Sequence, residues 1–154
     1  MDASSTASIS EFAIVLAGFS GLVIVIGAKD GKSNPLVKHR TFCMLCLSFA
    51  AAFGSLLPIL ALSFGISKIW AFSSYGLSCI LVATTIGTYL STKLLLNEEE
   101  RKKLRGYMYI LILWVNVLLA LLLVLIPVAG SFFAALIWQL IVSAILFTRL
   151  ILQS

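Results

Sequence analysis

Residues 107–152 read YMYILILWVNVLLALLLVLIPVAGSFFAALIWQLIVSAILFTRLIL, with a single ionic side chain, Arg149. As one helix rising about 1.5 Å per residue, this stretch would run roughly 70 Å, against a bilayer hydrocarbon core of about 30 Å. It must therefore fold back on itself. The fold-back is written at Pro127-Val128-Ala129-Gly130-Ser131. The proline stops one helix, the glycine suits a C-terminal cap, and the serine suits the N-cap of the next helix. The sequence thus predicts two apolar helices joined in a tight hairpin.

Outward from the hairpin the same pattern recurs. Apolar segments cover 9–28, 41–64 and 69–92, and the hairpin supplies 106–126 and 131–152. The expected fold is all-α: one domain over 1–154, a bundle of five transmembrane helices. Composition agrees, since 61% of the residues are hydrophobic and 11% charged, where a soluble domain has about 45–50% apolar and about 25% charged residues. The three cysteines lie inside apolar segments and do not form a disulfide framework. Residues 1–8 have no basic stretch of the kind that opens a cleavable signal peptide.

Most charges lie in two short clusters, 29–40 and 93–105. Lys29, Lys32, Lys38 and Arg40 fall in the first loop; Lys93, Arg101, Lys102, Lys103 and Arg105 fall in the third. The second loop has only Lys68 and the fourth has none. Basic loops stay on the cytoplasmic side, so the N-terminus is expected outside and the C-terminus inside, in a plasma membrane (the inner membrane if the source is bacterial). Trp70 and Phe132 are then expected at the outer interface. The net charge of +5 flanks helices rather than forming a surface patch, which argues against a nucleic-acid partner.

The connections carry their own signals. Pro35 suits the first turn of the second segment, with Asn34 as its cap. Gly65 suits the end of that helix and Ser67 the N-cap of the third. Asn97 followed by Glu98, Glu99 and Glu100 resembles a capping box, so the fourth helix is expected to start in water at Glu98. Pro58, four residues after Gly54, removes one backbone hydrogen bond and should kink its helix.

Candidate functional residues are few. Ala13, Ala17 and Gly21, widened by Gly18, form a small-residue strip that lets helices approach closely, within this chain or between copies. Glu11 is the one carboxylate near an apolar span on the outer side. Around an oligomer it would form a cation-concentrating ring, although Ser8 and Glu11 also have capping-box spacing. Ser78, Thr85, Thr88 and Thr92 lie along one face of the third segment, where hydroxyls can line a hydrated path or bond to helix carbonyls. Asn116 and Gln139 sit at similar depth in the hairpin and are expected to pair across it.

His39, Cys43 and Cys46 share one face, but three ligands on one ridge span about 10 Å, too far for one ion. The Cys43–Cys46 spacing resembles membrane thiol oxidoreductases of the disulfide-bond-forming type, which hold their pair on the oxidising side; this pair falls on the reducing side. The reading therefore includes no metal, no cofactor and no catalytic constellation. It predicts a small integral membrane protein that is a homo-oligomeric ion channel or pore. The alternative is an accessory or assembly subunit of a larger membrane complex. The expected partners are the lipid bilayer and further copies or other membrane subunits.

Overall fold

In the computed structural model of the chain, the residues described are 35–104 and 107–151, with Glu11, Ile14 and Gly18 from the first apolar segment. Most of the described residues are helical, and none is in a strand. The helices are α1 (Pro35–Ser63), α2 (Ile69–Leu95), α3 (Glu98–Leu104), α4 (Tyr107–Leu125) and α5 (Ala129–Ile151). Three helical stretches, Pro35–Ser63, Ile69–Leu95 and Ala129–Arg149, are long and apolar enough to cross a membrane; the apolar stretch Ile110–Leu125 of α4 is shorter. Apolar side chains cover the outside, with Trp114 71% exposed and Phe64, Leu118 and Leu125 also in the open. Ser48, Ser55, Ser73, Ser74, Gln139 and Ser143 are buried. Polar groups inside and apolar groups outside is the arrangement of a membrane protein.

α1 begins at Pro35, as its fixed φ and missing N–H favour; Asn34 lies outside the described residues. The helix runs unbroken through Pro58 to Ser63 and is capped at Gly65, whose φ is +65°. There the Ile66 amide donates to the Ala61 carbonyl (3.0 Å) and the Gly65 amide to the Leu62 carbonyl (3.0 Å). These are the two bonds of a Schellman cap. Ser67 is not the N-cap of α2. That position is Lys68, which makes no side-chain capping bond, so α2 starts one residue later than a serine cap would start it.

At the other end of α2, Arg101 folds back. Its Nε donates to the Leu96 carbonyl (2.8 Å) and its Nη2 to the Lys93 carbonyl (2.6 Å), so a guanidinium serves the orphan acceptors of the helix terminus. The Asn97 amide donates to Glu100 Oε2 (3.0 Å), one arm of the expected capping box. The helix opened there, α3, is described to Leu104 and α4 from Tyr107; Arg105 and Gly106 lie outside the described residues.

The hairpin closes at Pro127, but its serine acts from a different position than expected. α5 begins at Ala129, so Gly130 lies in its first turn and Ser131 is the third helical residue. Ser131 Oγ lies 2.6 Å from the Ile126 carbonyl and 2.9 Å from the Val128 carbonyl, and it accepts from the Val128 amide at 3.4 Å. One hydroxyl thus ties the turn together from inside the helix.

α1 packs extensively on both α2 and α5, while α4 packs chiefly on α2. The main core joins Leu77 and Leu81 of α2, Ala120 and Leu123 of α4, and Phe132, Phe133, Ala135 and Leu136 of α5. Phe132 is 0% exposed and packs against Trp70 (5.9 Å between ring centres) and Phe133 (5.8 Å). It is a core residue, because the first turn of α5 turns this side chain toward its neighbours. Gly54 marks the closest approach of α1: a Cβ there would come within 2.7 Å of Leu77 Cδ1 and 3.1 Å of Leu136 Cδ2.

Gly65→Ala should destabilise the fold by about 1 kcal/mol, the cost of a left-handed residue that carries a Cβ. Gly54→Val should cost more, about 1–3 kcal/mol, because the extra atoms overpack Leu77 and Leu136. Thermal unfolding of both variants in mild detergent checks the order, and equal melting temperatures for Gly54→Val and wild type would refute the close contact.

Candidate functional site

The feature with the most chemistry is a buried polar seam between α1, α2 and α5. Along α1, His39, Ser48 and Ser55 stand at depths of roughly 0, 14 and 24 Å, taking about 1.5 Å per residue. His39 and Ser48 meet side chains of other helices at their own level, while Ser55 bonds within α1.

At the basic end, His39 is 1% exposed. Its Nδ1 lies 3.0 Å from Ser91 Oγ, and its Nε2 lies 3.4 Å from Thr92 Oγ1 and 3.6 Å from Cys43 Sγ. Donor bookkeeping sets the tautomer. Ser91 already donates to the Thr88 carbonyl (2.8 Å) and Thr92 donates to the same carbonyl (2.8 Å). In the neutral ring, Nδ1–H therefore donates to Ser91, which leaves Nε2 to accept the Cys43 thiol proton.

Nine residues further along α1, Ser48 Oγ and Ser143 Oγ of α5 are 2.7 Å apart. Ser143 also reaches the Met44 carbonyl at 3.4 Å, so Ser48 supplies the proton between the hydroxyls. This link fixes the antiparallel register of α1 and α5. One turn from Ser143, Gln139 is 0% exposed, and neither its Nε2 nor its Oε1 has a hydrogen-bond partner. Ser55 bonds within α1, to the Ala52 carbonyl (2.7 Å). Ser73 and Ser74 of α2 are buried, and their hydroxyl oxygens likewise have no partner.

The structure distributes the sequence-derived candidates unevenly. Glu11 is helical and exposed. Gly18 is exposed, with nothing within 4 Å of where a Cβ would stand. Ala13, Ala17 and Gly21 lie outside the described residues. Ser78 is buried and donates to the Ala120 carbonyl (3.1 Å), linking α2 to α4. Thr85 donates to the Leu81 carbonyl (2.7 Å) and Thr88 to the Thr85 carbonyl (2.9 Å). The hydroxyl face of α2 thus bonds to helix carbonyls and to His39.

The expected Asn116–Gln139 pair is not formed. Asn116 Oδ1 accepts from Trp138 Nε1 at 3.0 Å. Trp138 precedes Gln139 by one residue, and about 100° of helix rotation separates them. Gln139 faces α1 with Ser143, four residues on, while Trp138 faces α4. Ser91, Ser48 and Ser143 escaped the sequence reading. The available signal was the spacing of four between Gln139 and Ser143, polar residues on one face of an apolar helix. Among the described residues, no group of three His, Cys, Asp or Glu side chains could hold a metal ion. Cys43, Cys46 and Cys79 are free thiols. The chain matches no family model, no curated protein and no solved structure.

Replacing Gln139 by Leu removes two unpartnered polar atoms at similar volume, so it should stabilise the protein by about 1 kcal/mol. Ser143→Ala should act in the opposite direction by about 0.6 kcal/mol, the mean value of an interhelical hydrogen bond in a membrane. Melting curves in detergent distinguish the two, and a Gln139→Leu protein less stable than wild type would show that the amide has a partner in the membrane.

Proposed function

We propose that this chain is a small multi-pass protein of the plasma membrane that assembles as a homo-oligomeric ion channel or pore. It has five spans, with the N-terminus outside and the C-terminus cytoplasmic. One observation carries the reading: Glu11, Ile14 and Gly18, at spacings of three and four, stand on one helical face and are exposed, Ile14 at 59%. A face that carries a glycine and a carboxylate, and is not taken up by the protomer, is available to further copies. Close backbone approach at Gly18 would then set the contact, and a ring of Glu11 side chains would draw cations to the mouth.

The α2 hydroxyls favour a second reading, an accessory subunit of a larger membrane complex. Ser78, Thr85, Thr88 and Thr92 bond inside the protomer, which supports a packing role for a face that would otherwise line a path. In that reading the Gly18 face docks on another subunit.

Native mass spectrometry in mild detergent and ion flux from liposomes test the proposal together. The expected result is an oligomer that conducts cations, with Gly18→Leu shifting it toward monomer and Glu11→Gln lowering cation preference. A monomer that passes no common ion would sink the channel reading. Co-purification with a distinct membrane subunit would move the assignment to the second.

A further inference from the structure

The joint between α1 and α2 uses one nitrogen of His39. Nδ1–H is spent on Ser91 Oγ (3.0 Å), and Ser91 donates in turn to the Thr88 carbonyl (2.8 Å). That relay fixes the tautomer of the ring and leaves a lone pair on Nε2, 3.6 Å from Cys43 Sγ. Thr92 Oγ1, 3.4 Å from the same nitrogen, gives its proton to the Thr88 carbonyl. A strong acceptor is therefore served by a thiol, one of the weakest donors. Both side chains are nearly closed to solvent, His39 at 1% and Cys43 at 6% exposed. An imidazole anchored through its far N–H, with its lone pair beside a thiol, has the arrangement of a metal-ligating histidine.

The pair suits one kind of ion. His39 and Cys43 are four residues apart on one helix, the spacing that sets two ligands side by side. With bonds of about 2.0 Å to nitrogen and about 2.3 Å to sulfur, atoms 3.6 Å apart meet one ion at an angle of about 110°, and a linear arrangement needs the sulfur to move by about 0.7 Å. Thiolate selects soft ions. Charge narrows the choice to a monovalent one. The ion takes the place of the thiol proton, which leaves to solvent, and a thiolate with one positive charge is neutral. A divalent ion would leave a unit charge buried among helices, which is costly. Structural zinc also takes four ligands, and among the described residues no group of three His, Cys, Asp or Glu side chains could hold a metal ion.

We propose that His39 and Cys43 form a binding site for Cu(I), with Nε2 and Sγ as its two ligands and Ser91 as the residue that positions the ring. His39 is four residues from Pro35, about 6 Å along α1. In the proposed orientation the ion reaches the pair from the cytoplasmic surface, the side on which thiols are kept reduced. The site is independent of whether the protein conducts ions.

The test is an anaerobic titration of the full chain in mild detergent with Cu(I) held by a competing chelator, followed by native mass spectrometry. The other two thiols are silenced in a Cys46→Ser/Cys79→Ser host. That host should take up one copper per chain and lose one proton. Adding Cys43→Ser should abolish binding. Adding His39→Leu should weaken it by about a hundredfold or more, and Ser91→Ala by about tenfold, since orienting partners of a ligating histidine are worth about 10–100-fold in affinity. X-ray absorption at the copper edge of wild type loaded with one equivalent should show one sulfur and one nitrogen, a readout that survives if a variant fails to fold. Copper held by sulfur alone overturns the proposal, as does affinity unchanged by His39→Leu. No binding by the host, which marks Cys46 or Cys79 as a required ligand, overturns it too. Zn(II) bound as tightly as Cu(I) would do the same, because the charge argument then fails.

Discussion

Inside a bilayer a polar group can be satisfied only by another group of the same assembly, since no water reaches it. The rest of this fold depends on that constraint. A soluble protein of this length would turn its serines outward and its leucines inward. Here Ser48, Ser55, Ser73, Ser74 and Ser143 are buried, and Trp114, Leu118 and Leu125 are in the open. With no hydrophobic force drawing helices together in lipid, their association rests on close packing and a few interhelical hydrogen bonds. Gly54, pressed by Leu77 and Leu136, supplies the first. Ser48–Ser143, Ser78–Ala120 and His39–Ser91 supply the second, each joining a different pair of levels or helices.

Much of the helical layout was legible because it is set by length and charge. An apolar stretch too long for one span must turn, and Pro127 marks where. Gly65 stood out as a terminator because a left-handed cap favours a residue without Cβ, and Pro35 as a beginning because it lacks a donor the first turn does not need. Helix starts were less legible. Ser67 and Ser131 both look like N-caps, but a capping residue is defined by where backbone dihedrals turn helical, and each serine sits off that point. Ser67 falls one residue before it and Ser131 three residues after. A hydroxyl can serve several backbone groups from neighbouring positions, so residue type narrows a boundary without fixing it.

Partner choice was the least legible feature, for a geometric reason. Depth can be counted along a helix, and Asn116 and Gln139 do lie near the same level. Rotation cannot be counted without knowing the neighbours. Because α4 packs mainly on α2 and α5 mainly on α1, α5 presents Trp138 to Asn116 and keeps Gln139 for the α1 side. The same uncertainty attached to the hydroxyls of α2. Their shared face was plain in the sequence, but whether it met water or protein depended on α1 bringing His39 and Cys43 against it.

That outcome bears on where an ion could pass. The seam between α1, α2 and α5 is polar, but at Gly54 two leucine side chains occupy the space a third would need. A hydrated file along the seam would have to displace Leu77 or Leu136 from a fully buried core, at a cost comparable to creating a cavity there. The seam therefore works as a joint. Under the proposed channel reading, conduction would then belong to surfaces shared between protomers. The exposed face of Glu11, Ile14 and Gly18 is the described surface that combines a carboxylate with room for a second backbone.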